Sequence, residues 1–132
     1  MIYPRLLVSL NNNLKGELLF DDLHKAIYAT DASVYRRTPL AVAYPSDIQD
    51  IQKLIFFATE HEISLVPRTA GTSLAGQCVG DGIIVDVSKH FTKIGHLDLA
   101  KKTIQVEPGI IRDDLNRFLK PHGLFFGPNT ST

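Results

Sequence analysis

Between residues 40 and 66 the sequence passes from a strand-like to a helix-like and back to a strand-like pattern, and this stretch constrains the fold most strongly. Residues 40–44 and 63–66 are short apolar runs that predict two β-strands. Between them, Ser46-Asp47-Ile48-Gln49 has the spacing of a capping box, which predicts the start of a helix. One helical face then carries apolar residues at Ile48, Ile51, Leu54, Ile55 and Ala58. Two strands joined by a helix within about 27 residues predict a right-handed parallel crossover.

The segments on either side of this crossover add a helix and a third strand. Residues 17–28 follow an asparagine turn signal at 11–13 and predict a helix, after which residues 29–39 predict a loop. The helical spacing is carried by Leu18, Leu19, Leu23, Ala26 and Ile27. Residues 82–87 form an unbroken β-rich run, which is typical of a strand buried on both faces.

The last third of the chain predicts a hairpin and a short helix. Residues 91–97 and 103–107 favour two antiparallel strands joined by a polar turn. The following helix, which ends by Pro121, is predicted from three apolar residues on one face: Leu115, Phe118 and Leu119. Because the apolar run 124–126 leads only into the loop 127–132, we expect the chain to be a fragment of a longer protein.

Composition excludes several classes of protein. Fourteen Lys and Arg balance fourteen Asp and Glu, so we expect no nucleic-acid partner, which would require a basic surplus. The single cysteine, Cys78, excludes an internal disulfide and a cysteine-based zinc site and favours a reducing compartment. No apolar stretch approaches about 18 residues, so we expect no transmembrane segment. We therefore expect a cytoplasmic protein.

A glycine-rich loop at residues 67–82 is the strongest candidate for chemistry. Four of its glycines lie within twelve residues, at Gly71, Gly76, Gly80 and Gly82. Glycines let backbone N–H groups approach an anion closely, and the neighbouring hydroxyls of Thr72 and Ser73 add donors. Arg68, just before the loop, could add a charge-assisted contact to a phosphate. A tight surface loop with no ligand is the alternative.

Two well-known phosphate motifs do not fit this loop. Gly71 and Gly76 have the spacing of a P-loop, but Gln77 and Cys78 replace the lysine and the magnesium-binding hydroxyl that the motif requires. The G-x-G-x-x-G dinucleotide fingerprint is also absent. The loop therefore predicts a phosphate site of another type.

Five segments in the same order carry a resemblance to a known family. They are residues 30–36 (TDASVYR), 66–77 (VPRTAGTSLAGQ), 82–88 (GIIVDVS), 106–109 (VEPG) and 126–131 (FGPNTS). On these segments the chain resembles the flavin-binding N-terminal half of FAD-linked oxidases and dehydrogenases, the vanillyl-alcohol oxidase or PCMH-type group. It looks most similar to the branch of glycolate oxidase subunits and D-lactate dehydrogenases.

The resemblance implies an α+β fold of the PCMH type, with FAD held between two small lobes. It implies that residues 1–39 are an N-terminal helical segment and that residues 40–88 are a parallel lobe that carries the pyrophosphate loop. Residues 89–132 would then begin an antiparallel second lobe. The cofactor residues that it implies are Arg68, Thr69, Ala70, Gly71, Thr72, Ser73, Gly76, Gln77, Pro128 and Ser131.

Two positions depart from patterns found in the family. The family usually has glycine where Thr69 stands, so the added side chain could shift the loop there. Relatives that bind FAD covalently carry histidine in an Arg-x-Gly-Gly-His pattern, whereas this chain has Thr72 at the histidine position. A hydroxyl does not form the histidyl link, so the expected cofactor is non-covalent FAD.

The function implied by the resemblance is oxidation of a 2-hydroxy acid, of the D-lactate or glycolate type, by hydride transfer to FAD. Electrons would pass to another acceptor, in some relatives through an iron–sulfur module. The implied location includes the inner membrane surface, as a peripheral protein. The alternatives are a UDP-N-acetylenolpyruvylglucosamine reductase-like flavoprotein and a non-catalytic nucleotide-binding module. We expect the chain by itself to be inactive and to self-associate through the apolar residues 124–126.

No residue is identified as catalytic, and no histidine cluster has the spacing of a metal site. Tyr35 and Arg36 are interpreted either as residues near the flavin or as anchors of their loop. Asp86, inside an apolar strand, is interpreted as a residue that ends the ladder or caps a turn.

Overall fold

The structure is a computed structural model that describes residues 3–129. Its elements in chain order are α1 Tyr3–Asn13, β1 Glu17–Leu19, α2 Asp22–Ile27, β2 Ala41–Tyr44, α3 Ile48–Glu60, β3 Leu65–Arg68, β4 Ile83–Asp86, β5 Ile94–Asp98, β6 Thr103–Val106 and α4 Arg112–Leu119. A single 3-10 turn, Lys120–His122, follows α4.

Four strands form one sheet in the order β1-β2-β4-β3. β2 and β3 both run parallel to β4, and β1 is antiparallel at the edge beside β2. The predicted parallel strands are therefore confirmed, although β3 is Leu65–Arg68 and not residues 63–66. β4 lies between the two strands that α3 connects. All four residues of β4 are buried, as its unbroken apolar run predicts. β3 forms the opposite edge and contains Pro67.

Helices α1 and α3 cover one face of this sheet. Side chains alternate along a strand, so Ala41 and Ala43 of β2 face the same side as Ile83 and Val85 of β4. The buried cluster on that side is completed by Leu7, Leu10, Leu18 and Leu54. The small alanines leave room for the helices to pack closely on the sheet.

The remaining strands form a separate hairpin. β5 and β6 pair antiparallel, as predicted, although β5 begins at Ile94 rather than at residue 91. The N–H of Gly109 donates to the carbonyl of Phe91 at 2.8 Å, so it connects the segments that enter and leave the hairpin. A Cβ at Gly109 would lie 2.6 Å from the carbonyl oxygen of Val87, so this junction requires glycine.

The prediction of one helix over residues 17–28 is wrong at its start. Residues Glu17–Leu19 pair with β2 as an edge strand, because backbone groups of β2 are available there. The helix begins only at Asp22, where the carboxylate of Asp21 accepts from the N–H of His24 at 3.1 Å and caps it. The predicted turn at residues 11–13 is also wrong, since these residues form the end of α1.

The capping residue of α3 differs from the predicted one. The N-cap is Asp47, whose carboxylate accepts from the N–H of Asp50 at 3.0 Å. Ser46 has another role, since its hydroxyl donates to the Asp50 carboxylate at 3.1 Å. The capping-box spacing therefore located the helix start to within one residue but assigned the cap to the wrong side chain.

Asp50 is a fully buried carboxylate at the start of α3. It accepts from the backbone N–H groups of Lys15, Gly16 and Ser46 at 2.9, 2.8 and 3.0 Å. Burial opposes its charged form, but these N–H groups outweigh that effect and lower the pKa of Asp50 to about 2. The carboxylate thereby fixes the α1–β1 connection against the beginning of α3.

We expect Asp50→Ala to lower the free energy of unfolding by about 3 kcal/mol, because it leaves three N–H groups without a partner. Urea unfolding measures this difference. Asp113→Ala is the control, since the Asp113 side chain is 71% exposed and should change stability by less than about 0.5 kcal/mol.

The same carboxylate predicts a pH dependence with a definite sign. Because its pKa falls from 3.8 to about 2 on folding, its contribution is present above pH 3.8 and is lost as the pH falls towards 2. The stability difference between the wild type and Asp50→Asn should therefore shrink over that interval. A difference that stays constant between pH 5 and about 2 would contradict this assignment.

Candidate functional site

The glycine-rich loop leaves the carboxyl end of β3 and returns to the start of β4. Gly71 and Gly76 have φ angles of +67° and +77°, in the left-handed region that favours glycine. A Cβ at Gly71 would lie 2.4 Å from an Nη atom of Arg68, and one at Gly76 would lie 2.9 Å from the Tyr35 ring. The backbone angles therefore favour glycine at both positions, and a Cβ would displace the Arg68 guanidinium or the Tyr35 ring.

Residues 69–74 form the first half of this loop, here called its outward limb, and they present backbone N–H groups as unpaired donors. Within the described residues, no backbone N–H from Thr69 to Leu74 donates to another group of the protein. Further along, the N–H groups of Ala75 and Gln77 donate to the Ser73 hydroxyl oxygen at 3.3 and 3.1 Å. Ser73 thus shapes the loop, while the preceding backbone offers a row of donors that an anion can bind.

Arg68 does not extend into solvent beside this row. Its Nη1 donates to the carbonyl of Thr30 at 2.8 Å and lies 3.4 Å from the carbonyl of Cys78 and 3.5 Å from that of Tyr28. Its guanidinium carbon also lies 4.9 Å from the centre of the Tyr28 ring. The structure therefore places this cation beneath the loop, among backbone carbonyls.

A hydrogen-bonded chain of side chains supports Arg68 from below. The Tyr28 hydroxyl donates to Asp86 at 2.5 Å and lies 2.8 Å from the Tyr44 hydroxyl. Asp86 is 4% exposed and also accepts from the N–H and the hydroxyl of Ser88 at 2.8 and 2.6 Å. Burial, together with the bond to Asp86, raises the pKa of Tyr28, so this hydroxyl remains a donor.

Sequence reasoning did not find this network. It considered Asp86 only as the end of a ladder or a turn cap, and it did not single out Tyr28. The signal was present, because a carboxylate inside the run GIIVDV must have hydrogen-bond partners when it is buried.

The segment 30–36 lies against the glycine-rich loop. The N–H of Ala32 donates to the carbonyl of Gly71 at 3.1 Å, and Thr30 forms a bridge with Arg36. The Tyr35 ring lies against Gly76 but remains 57% exposed. These contacts support the interpretation of Tyr35 as an anchor of its loop.

A cavity of about 890 Å³ opens beside the start of the loop. It is lined by Thr69, Ala70, Ser88, Thr92, Ile94, Pro108, Gly109, Ile110, Ile111, Arg112 and Asp114. The cavity thus lies between the sheet unit and the hairpin unit, and of the predicted cofactor residues Thr69 and Ala70 contribute to it directly.

The other predicted cofactor residues that the structure describes do not line this cavity. Gly71, Thr72, Ser73, Gly76 and Gln77 continue the loop beyond its lining. Arg112, which lines the cavity, donates through Nη1 to the Asn129 side chain and so fixes the final described segment, which includes Pro128. Ser131 lies outside the described residues.

The described residues contain no metal-binding cluster and no membrane-spanning helix. No group of three or more His, Cys, Asp or Glu side chains between residues 3 and 129 could hold a metal ion. In the same part of the chain, no helix has the length and apolar character needed to cross a membrane.

Comparison with known proteins identifies relatives of this chain. D-2-hydroxyglutarate dehydrogenase of Pseudomonas putida is 37% identical over 98% of this chain and 13% of that protein. The glycolate oxidase subunit GlcD of Bacillus subtilis is 34% identical over 90% of this chain and 26% of that protein. The chain thus spans between 13% and 26% of the length of these curated relatives.

Solved structures show the same fold. An alkyldihydroxyacetonephosphate synthase matches with a TM-score of 0.82 at 16% identity, over 98% of this chain and 27% of that chain. A 6-hydroxy-D-nicotine oxidase of Arthrobacter nicotinovorans matches with a TM-score of 0.68 at 24% identity, over 83% of this chain and 24% of that chain. The expected PCMH-type fold is thereby confirmed. Residues 39–132 match the FAD binding domain family, and the chain belongs to that family.

Proposed function

We propose that residues 69–77 hold the pyrophosphate of FAD and that the adjoining cavity receives the rest of the cofactor. The unpaired N–H groups from Thr69 to Leu74 carry this proposal, because the acceptor oxygens of a pyrophosphate would supply the partners that the protein does not. The chemistry of the loop fits, since no carboxylate lies between residues 69 and 80 to repel the phosphates. Gly71, without a Cβ, permits close packing of this loop on the Arg68 guanidinium.

The proposed activity of the whole protein is oxidation of a 2-hydroxy acid. FAD, when bound, supplies the acceptor for the hydride, and this chain supplies binding and orientation. The relatives named above support this substrate class, since their names specify D-2-hydroxyglutarate dehydrogenase and a glycolate oxidase subunit. The proposal includes an electron acceptor of the iron–sulfur type, self-association of this chain, and a location in the cytoplasm or at the inner membrane surface.

The proposal also divides the chain by role. Residues 40–88 supply the parallel strands and the pyrophosphate loop, residues 89–132 begin the second lobe, and residues 1–39 add α1 and the edge strand β1 to the first lobe. The position of the cavity supports this division, because its lining comes from both sides of residue 88.

We expect Gly71→Val to weaken FAD binding by about 100-fold, or about 2.7 kcal/mol. The new side chain would meet the Arg68 guanidinium 2.4 Å away and would deform the row of donors. A titration that follows quenching of flavin fluorescence gives the dissociation constant. An unchanged affinity would show that the pyrophosphate binds elsewhere.

Gly123→Val is the matched control for Gly71→Val. Gly123 has the same φ of +67°, but a Cβ there would meet nothing within 4 Å. The control therefore introduces the same backbone strain without a collision. Its FAD affinity should stay within about 2-fold of the wild type.

We expect FAD to be released intact when the holoprotein is precipitated with acid. Thr72 occupies the position at which covalent relatives carry the linking histidine, and its hydroxyl donates to phosphate without forming that bond. The yellow colour should therefore move to the supernatant. Flavin fluorescence that stays with the polypeptide on a denaturing gel would exclude non-covalent binding.

The substrate class is tested by anaerobic reduction of the bound flavin in the whole protein. We expect at least one of D-2-hydroxyglutarate, D-lactate and glycolate to bleach the flavin absorption, because hydride transfer converts the oxidised ring to its reduced form. L-lactate serves as the stereochemical control for D-lactate. Bound flavin that none of the three acids bleaches would refute the substrate class but not FAD binding.

A further inference from the structure

Arg68 joins chain segments that are distant in sequence. Thr30 and Tyr28 precede it by about 40 residues, whereas Cys78 follows it on the returning limb of the glycine-rich loop. Their three carbonyl groups all lie within 3.5 Å of one nitrogen, Nη1. A planar guanidinium in this position connects the base of the loop to the segment that follows α2.

The outward limb of the loop rests on the same guanidinium. A Cβ built on Gly71 would lie 2.4 to 2.8 Å from three atoms of that group, so the Gly71 backbone packs directly against it. Gly71 is followed by Thr72 and Ser73, which belong to the proposed pyrophosphate contact. The position of the guanidinium therefore determines where the backbone of the outward limb lies relative to the sheet.

The guanidinium is itself held by the side chains below it. The Tyr28 ring lies under its carbon atom, and the hydroxyl of that ring is fixed by Asp86 at 2.5 Å. Arg68 and Asp86 are paired residues at the ends of adjacent parallel strands, so the sheet fixes both ends of this support. The Tyr28 hydroxyl has one hydrogen, which Asp86 accepts, so Tyr44 donates to the Tyr28 oxygen.

We propose that Arg68, supported by Tyr28 and Asp86, is a positioning residue that holds the pyrophosphate loop in its binding shape and is not a phosphate ligand. This inference rests on the proposed role of residues 69–77. Lysine would retain the positive charge but presents a compact ammonium, which offers no planar surface for Gly71 and the Tyr28 ring.

The first test compares Arg68→Lys with Arg68→Met. We expect both to weaken FAD binding by about 10-fold or more, because neither supplies the planar guanidinium that packs against Gly71 and the Tyr28 ring. Arg117→Met is the control, since the Arg117 side chain is 77% exposed and is paired with Asp114. Retention of wild-type affinity in Arg68→Lys would show that charge alone is required and would overturn the proposal.

Amide hydrogen exchange of the protein without FAD separates positioning from direct binding. In Arg68→Lys we expect exchange of the amides of Ala32, Ala75 and Gln77, which are hydrogen-bonded to the loop, to accelerate by about 10-fold while exchange in β2 and β4 stays at its wild-type rate. A direct phosphate ligand predicts no change in the absence of FAD, and a general folding role predicts acceleration throughout; either result would overturn the proposal. This measurement needs no bound flavin, so it remains informative if the proposed function fails.

A milder pair of variants tests the support without altering Arg68. Tyr28→Phe removes the hydrogen bond to Asp86, whereas Tyr44→Phe leaves that bond in place. We expect Tyr28→Phe to weaken FAD binding about 3-fold and to accelerate exchange of the Ala32, Ala75 and Gln77 amides, and Tyr44→Phe to do neither. Equal behaviour of the two variants would show that the Tyr28–Asp86 bond does not support the loop.

Discussion

Three backbone carbonyl groups, from residues 28, 30 and 78, converge on the guanidinium of Arg68, and the shape of the glycine-rich loop depends on that convergence. Ordering an irregular loop costs backbone entropy at every residue, and a loop without a ladder has few hydrogen bonds of its own to offset that cost. The guanidinium of Arg68 supplies polar contacts to three backbone carbonyl groups at once. The backbone donors between Thr69 and Leu74 can therefore remain unpaired in a defined conformation, ready for an acceptor from outside.

Two buried carboxylates play comparable parts on either side of the sheet. Asp50 collects N–H groups from the α1–β1 connection and from the start of α3, and Asp86 collects donors from Tyr28 and Ser88. Both are almost completely buried, so each bond that they make is formed away from competing water. The exposed ion pairs, such as Lys101 with Asp98, contribute far less because solvent screens them.

The spacing of apolar residues along the sequence predicted the strands and the helix that bury those residues. The apolar runs of β2, β3 and β4, and the apolar face of α3, are visible in the sequence because burial selects the residue type at each position. β1 escaped prediction because three residues become a strand only when β2 offers unpaired backbone groups beside them. The loop was located from its glycines, and the positive φ angles of Gly71 and Gly76 explain why glycine stands there. The role of Arg68 could not be predicted, because its partners come from segments up to 40 residues away whose positions only the folded chain defines.

Pro67 removes one backbone hydrogen-bond donor from the outer edge of the sheet, which is formed by β3. The carbonyls of Ser64 and Arg68 accept from the backbone of Ile83 and Val87 on the β4 side, so alternation turns the backbone of Pro67 towards the outer edge. Proline has no N–H, so a strand approaching that edge would find one of its hydrogen-bond donors missing. An unpaired edge strand of four residues can pair with a strand of another molecule, which is the first step of β-aggregation. In β3 the proline disfavours that pairing. It does so one residue before Arg68, whose guanidinium supports the loop.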